Sequence, residues 1–114
     1  MTIKRHNPGT RMSAAVVHDS TVYLAGQVSA DAPNARGQTE LILKKIDALL
    51  GAVGSHKSKA LSATVYLASM ATYDEMNAAW DAWVDPSNAP ARATVEAKLA
   101  QPKYLVEISL VAAV

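Results

Sequence analysis

The stretch formed by residues 105–114 is apolar on both of its faces, and this limits how the chain can fold. Side chains alternate along a strand. Val106, Ile108, Leu110 and Ala112 therefore line one side, and Leu105, Glu107, Ser109, Val111 and Ala113 line the other. Residues 21–28 behave alike, with Val22, Leu24 and Val28 against Tyr23 and Ala25. Two helices are all that the remaining sequence supplies, enough to cover one face of a single sheet. A large apolar face left bare marks an association surface. The pattern predicts that the bare face is buried by self-association.

The other elements follow from local chemistry. Residues 7–10 read as a turn, since Pro8 presets one dihedral and Gly9 frees another. Residues 14–17 and 21–28 read as a β-hairpin around His18, Asp19 and Ser20, with a further short strand near Ile3. Asp31, Pro33, Asn34 and Gly37 mark residues 29–37 as a loop. Helical spacing of Leu41, Ile42, Ile46, Leu49, Leu50 and Val53 predicts a helix over residues 38–53, ended by Gly51 and Gly54. Residues 60–67 read as a strand. Thr72 and Glu75 fit a capping box that opens a second helix over residues 72–84, stopped by Asp85-Pro86. Residues 93–97 and 105–114 complete the strands, with a turn at Gln101-Pro102 between them.

Composition narrows the class. At 114 residues the chain is expected to form one domain, residues 1–114, and with 50% hydrophobic and 18% charged residues it reads as globular. A net charge of +1 argues against nucleic acid and acidic membrane as partners. The absence of cysteine excludes disulfides, thiol catalysis and Cys-ligated metals. No apolar run approaches a bilayer-spanning length. Lys4 and Arg5 have no apolar core behind them, so a secretory signal is not expected and a cytoplasmic protein is.

Few residues stand out as chemistry. His6, His18 and His56 are scattered among turns, and none lies at metal-ligand spacing. The GxxG at Gly51–Gly54 reads as a helix cap rather than a nucleic-acid clamp. Tyr73, Trp80 and Trp83 read as core. Glu107 sits mid-strand in the most apolar segment, where an unpaired carboxylate is costly. Arg92 enters the next-to-last strand and presents a planar fork suited to a carboxylate. Two readings stay open: Arg92 and Glu107 pair with each other, or Arg92 holds a substrate carboxylate while Glu107 acts as acid or base on a water.

Four motifs in order carry a family resemblance over nearly the whole chain. They are Val22-Tyr23-Leu24-Ala25-Gly26-Gln27, Met76-Asn77, Ala89-Pro90-Ala91-Arg92-Ala93-Thr94-Val95-Glu96, and Pro102-Lys103-Tyr104-Leu105-Val106-Glu107-Ile108. Their types and spacing resemble the RidA family, also called YjgF. Asn77-Ala78-Ala79-Trp80-Asp81-Ala82-Trp83-Val84 looks closest to its RutC/YoaB-like branch.

The resemblance implies an α+β, chorismate-mutase-like fold: one mixed sheet of five to six strands, two helices on one face, and a homotrimer with sites in the clefts between subunits. It implies hydrolysis of reactive enamines and imines, such as 2-aminoacrylate, to 2-keto acids and ammonia, with no metal or organic cofactor. Carried over, Arg92 clamps the substrate carboxylate and Glu107 activates water. The main chain around Gly26 and Thr94 faces the imine, and Asn77 supports the site from the helix. Met12 stands where many deaminating members have a tyrosine that lines the site. Ala25 and Thr94 replace a common serine and cysteine, and the loop at residues 29–37 is shorter than in many members. Met12 and Thr94 motivate an alternative, a trimer that binds small carboxylates without chemistry. The ribonuclease and translation-inhibitor labels the family carries suggest an RNA-directed role, for which this chain offers no basic stripe and no aromatic platform.

Overall fold

Residues 2–114 are described by a computed structural model. Its elements in chain order are β1 (Ile3–Pro8), β2 (Ser13–His18), β3 (Thr21–Leu24), α1 (Ala35–Ala52), β4 (Ala60–Leu67), α2 (Tyr73–Trp83), β5 (Ala91–Glu96) and β6 (Val106–Ala113). The six strands form one sheet in the order β1-β2-β3-β6-β4-β5. Only the β4–β5 pair is parallel. This is the expected mixed sheet with two helices.

Cross-strand register sorts the side chains onto two faces, because residues directly opposite each other share a face. Leu67 faces Val106, Val65 faces Ile108, Ala63 faces Leu110, and Val22 faces Ala112. All eight are buried, packed with Ile42, Leu43, Ile46 and Leu50 of α1 and Met76 and Trp80 of α2. The other face pairs Tyr66 with Glu107, Thr64 with Ser109, and Tyr23 with Val111. Both helices lie on the first face. On the second, Tyr23 is 49% exposed and Val95 41%, so the face the sequence predicts to be bare is bare in the single chain.

Local chemistry explains most boundaries. A Schellman motif ends α1: Ser55 N–H donates to Leu50 O (2.8 Å) and Gly54 N–H to Gly51 O (3.2 Å), with Gly54 at φ +79°. The helix starts three residues earlier than the sequence suggests. Asn34 is its N-cap, and its Oδ1 accepts from Gly37 N–H (2.8 Å). The predicted capping box at Thr72 does not form. The Thr72 hydroxyl instead donates to Ser69 O (2.8 Å), and Ser69 Oγ caps a short turn at Met70–Thr72 by accepting from Ala71 N–H (3.2 Å). Ser69 thus takes the capping role one turn upstream.

The β-rich run after Asp19 is regular only through Leu24, and Gln27 rejoins the sheet through a single bridge to Ile108. Near the start, Asn7 and Pro8 belong to β1, and the turn lies beyond them, closed by Gly9 N–H donating to Met12 O (2.8 Å). Pro8 is tolerated because β1 is an edge strand. No helix among the described residues is long and apolar enough to cross a membrane.

Candidate active site

Glu107 lies on β6 between Val106 and Ile108, both fully buried, yet is only half-buried itself. Alternation turns it onto the open face, beside Tyr66 of β4 and Ser109 two residues on. Gly26 completes its setting. A Cβ built at Gly26 would collide with Glu107 Oε2, so only a glycine leaves room for the carboxylate against the main chain there. Backbone bonds between Gln27 and Ile108 in both directions (2.8 and 3.1 Å) fix this approach. Gly26, Tyr66, Lys98, Glu107 and Ser109 line a groove of about 450 Å³ that the loop at residues 97–100 overhangs.

Arg92 is elsewhere. It lies on edge strand β5 opposite buried Ala63, so it projects toward the helices. Its guanidinium sits over the rings of Trp80 (5.1 Å) and Tyr73 (6.0 Å). Its Nη2 donates to Tyr73 Oη (3.4 Å) and its Nη1 to Met76 Sδ (3.8 Å). A pair between Arg92 and Glu107, one of the two sequence readings, does not form. The two strands are separated by β4, about 10 Å apart, and the side chains leave opposite faces. Among the described residues no lysine or arginine lies within 4 Å of a carboxylate; the one basic–acidic contact is His18 Nε2 to Asp19 (3.9 Å).

The remaining candidates divide between these two places. Thr94 is two residues from Arg92 on the same side of β5, and its Oγ1 is buried without a hydrogen-bond partner. Asn77 is one residue from Met76 and shares helical spacing with Tyr73 and Trp80, the residues beneath Arg92. Gly26 is with Glu107. Met12 is not with Arg92: it is 63% exposed in the β1–β2 turn, and β2 lies four strand spacings, about 19 Å, from β5.

Comparison with known proteins identifies the family of the chain. Residues 2–114 match the family described as Endoribonuclease L-PSP. A RutC family protein of Haemophilus influenzae is 47% identical over 114 residues, covering 98% of each chain. The RutC family protein YoaB of Escherichia coli is 46% identical over 100% of both chains. The chain belongs to the RidA/YjgF family, on its RutC-like branch. A solved structure of a YjgF family member from Neisseria meningitidis superposes on this RutC-like chain with a TM-score of 0.97 at 42% identity, covering 99% of this chain and 95% of that one.

Three lining residues escaped the sequence reading. Ser109 was accessible to it, since strand alternation puts it on the Glu107 side. Tyr66 and Lys98 were not, because they reach Glu107 only through the β4–β6 register and the path of the chain after β5.

Proposed function

We propose that this RutC-like protein hydrolyses reactive enamines and imines of small 2-amino acids to 2-keto acids and ammonia. The observation that carries this reading is Glu107: a half-buried carboxylate with no cation among the described residues paired to it, seated over the Gly26 main chain at the edge of a groove. An imine carbon is already electrophilic, so it needs an oriented water and a proton carrier more than a nucleophile. Glu107 takes a proton from water as the new C–O bond forms at that carbon. Returning the proton to nitrogen gives a carbinolamine with a protonated amine; the C–N bond then breaks as the C=O forms and the hydroxyl proton passes to Glu107, releasing the keto acid and ammonia. A positioned acid or base of this kind contributes about 10²–10⁴-fold.

Arg92 supplies the carboxylate clamp, Thr94 and the Gly26 main chain border the imine end, and Asn77 supports Arg92 from α2. Because Arg92 and Glu107 leave opposite faces of one sheet, the complete site takes them from two copies of the chain in a homotrimer. The bare sheet face supports that association, and Met12 approaches Arg92 only across such an interface.

A binding-only reading draws on Arg92 itself, whose guanidinium rests on Trp80 and Tyr73 rather than standing free. An RNA-directed activity, which the Endoribonuclease L-PSP description raises, has the net charge of +1 against it. The deciding test is hydrolysis of imines generated by an amino-acid oxidase, with semicarbazide competing for them. The wild type suppresses semicarbazone formation, and Arg92→Ala is slower by at least about tenfold, the loss of one charge-assisted contact. Equal activity in both proteins overturns the clamp. No suppression by either one, with small carboxylates still raising Tm, favours the binding-only reading.

A further inference from the structure

The groove beside Glu107 contains a cation that the proposed reaction does not use. Lys98 lines it together with Gly26, Tyr66, Glu107 and Ser109. Among the described residues Lys98 makes no ion pair. Its position is set by the anchoring of its loop at both ends. Ala97 N–H donates to Leu67 O (2.9 Å), which extends the β5 pairing up to the residue before Lys98. At the far end, Gln38 holds the returning chain. This side chain is buried, 2% exposed, and its Nε2 donates to Lys103 O (3.0 Å) while its Oε1 accepts from Leu105 N–H (2.9 Å). Ala68 N–H also donates to Leu105 O (3.0 Å). The loop bearing Lys98 therefore spans the groove between two fixed points.

Glu107 alone would repel an anionic group entering this groove. Lys98, exposed on its loop, brings a positive charge to the same groove, and the Tyr66 and Ser109 side chains bring hydroxyl groups to its walls. One negative group can then lie beside Glu107 without net repulsion. The carboxylate common to all 2-imino acids is assigned to Arg92, so the anion taken here is a second one.

We propose that Lys98 binds a side-chain carboxylate of the substrate, making 2-imino dicarboxylates the preferred substrate class. This rests on the imine-hydrolysis reading above, and the test separates the two. Binding of 2-oxopentanedioate and of 2-oxopentanoate, a dicarboxylic and a monocarboxylic keto acid of equal chain length, is measured by calorimetry on the assembled protein. The wild type is expected to favour the diacid by about tenfold. Lys98→Met keeps an unbranched stem and removes the charge, and is expected to bring the ratio near one, while Lys98→Arg keeps the preference. Absence of a preference in the wild type, or its survival in Lys98→Met, overturns the proposal. The same comparison is then made for turnover, with imines generated from glutamate and from norvaline. A diacid binding preference that depends on Lys98, in a protein that hydrolyses no imine, sinks the hydrolase reading and leaves the Lys98 site standing. Hydrolysis that does not discriminate between the two imines, with no binding preference, does the reverse.

Discussion

Arg92 and Glu107 leave opposite faces of the same sheet, with β4 between their strands. Arg92 is paired in register with Ala63, and Glu107 with Tyr66, and Ala63 and Tyr66 sit at positions of opposite parity on β4. Within one chain the two side chains stand on different faces of the sheet. The relationship turns a question about catalysis into one about assembly.

Subunit mixing tests it. Arg92→Ala and Glu107→Gln are each expected to be slowed at least about tenfold alone. If every site takes its arginine from one chain and its glutamate from a neighbour, random mixing regenerates sites that have both. At equal amounts about one quarter of sites are complete in a closed ring. Imine hydrolysis after dissociation and reassembly should return to about that fraction of wild type. A mixture no more active than either variant places both residues in the site from a single chain.

Gly26→Ala probes the seat of Glu107. The added Cβ overlaps Glu107 Oε2, so the carboxylate must swing away from the main chain. Gly26 is exposed, and the loss of fold stability should be small. A misplacement of about 1 Å costs on the order of 10²-fold in rate. The expected result is a kcat reduced by about that factor with Tm nearly unchanged. A kcat at the wild-type level shows that Glu107 does not need this seat.

Parts of the fold and site were legible from sequence because they depend on local periodicity. The alternation of Val106, Ile108, Leu110 and Ala112 identified the helix-covered face, and the spacing of Ile42, Ile46 and Leu50 identified the side of α1 that covers it. Glu107 stood out by the same alternation. The parity argument stops at the strand end, because residues on different strands share a face only once the register is known. Numbering alone could not show that Tyr66 faces Glu107 or that Arg92 turns away from it. Insertion of β4 between β5 and β6 is a long-range pairing with no local trace. The Thr72 capping box failed for a local reason, since Ser69, three residues earlier, captures the Thr72 hydroxyl on its carbonyl. Asn34 was hidden among loop-forming neighbours, although it is a good N-cap type.

Asp85 makes stability depend on acid. Its carboxylate accepts from Asn88 Nδ2 (2.9 Å) and from Ser87 N–H (3.0 Å), closing the turn between α2 and β5. These two bonds, the Asn88 side chain first, hold its pKa below the ordinary aspartate value. A depressed folded pKa stabilises the protein above the unfolded value, about 3.9, and that stabilisation is lost as pH falls through the folded one. Asp85→Ala should therefore lower Tm at neutral pH. The difference from wild type should close as the pH drops below the folded pKa. Thermal unfolding of both proteins across that range checks it, and a gap that stays constant with pH removes the carboxylate from the account.

Gln38 ties the helix layer to the loop over the groove. Its side chain makes three bonds: Nε2 donates to Ala32 O (3.1 Å) and Lys103 O (3.0 Å), and Oε1 accepts from Leu105 N–H (2.9 Å). Gln38→Ala removes all three bonds to these partly buried backbone groups, each worth about 0.5–1.5 kcal/mol. Gln38→Glu preserves the acceptor for Leu105 but removes the donor to the two carbonyls, so it should also destabilise. Denaturant unfolding gives the size of both effects. Hydrogen exchange locates them: faster exchange at Leu105 N–H and at Ala97 N–H in Gln38→Ala shows that one side chain on α1 fixes the loop on which Lys98 is carried. Faster exchange at Leu105 alone confines Gln38 to the start of β6, and the loop then owes its place to the β5 end.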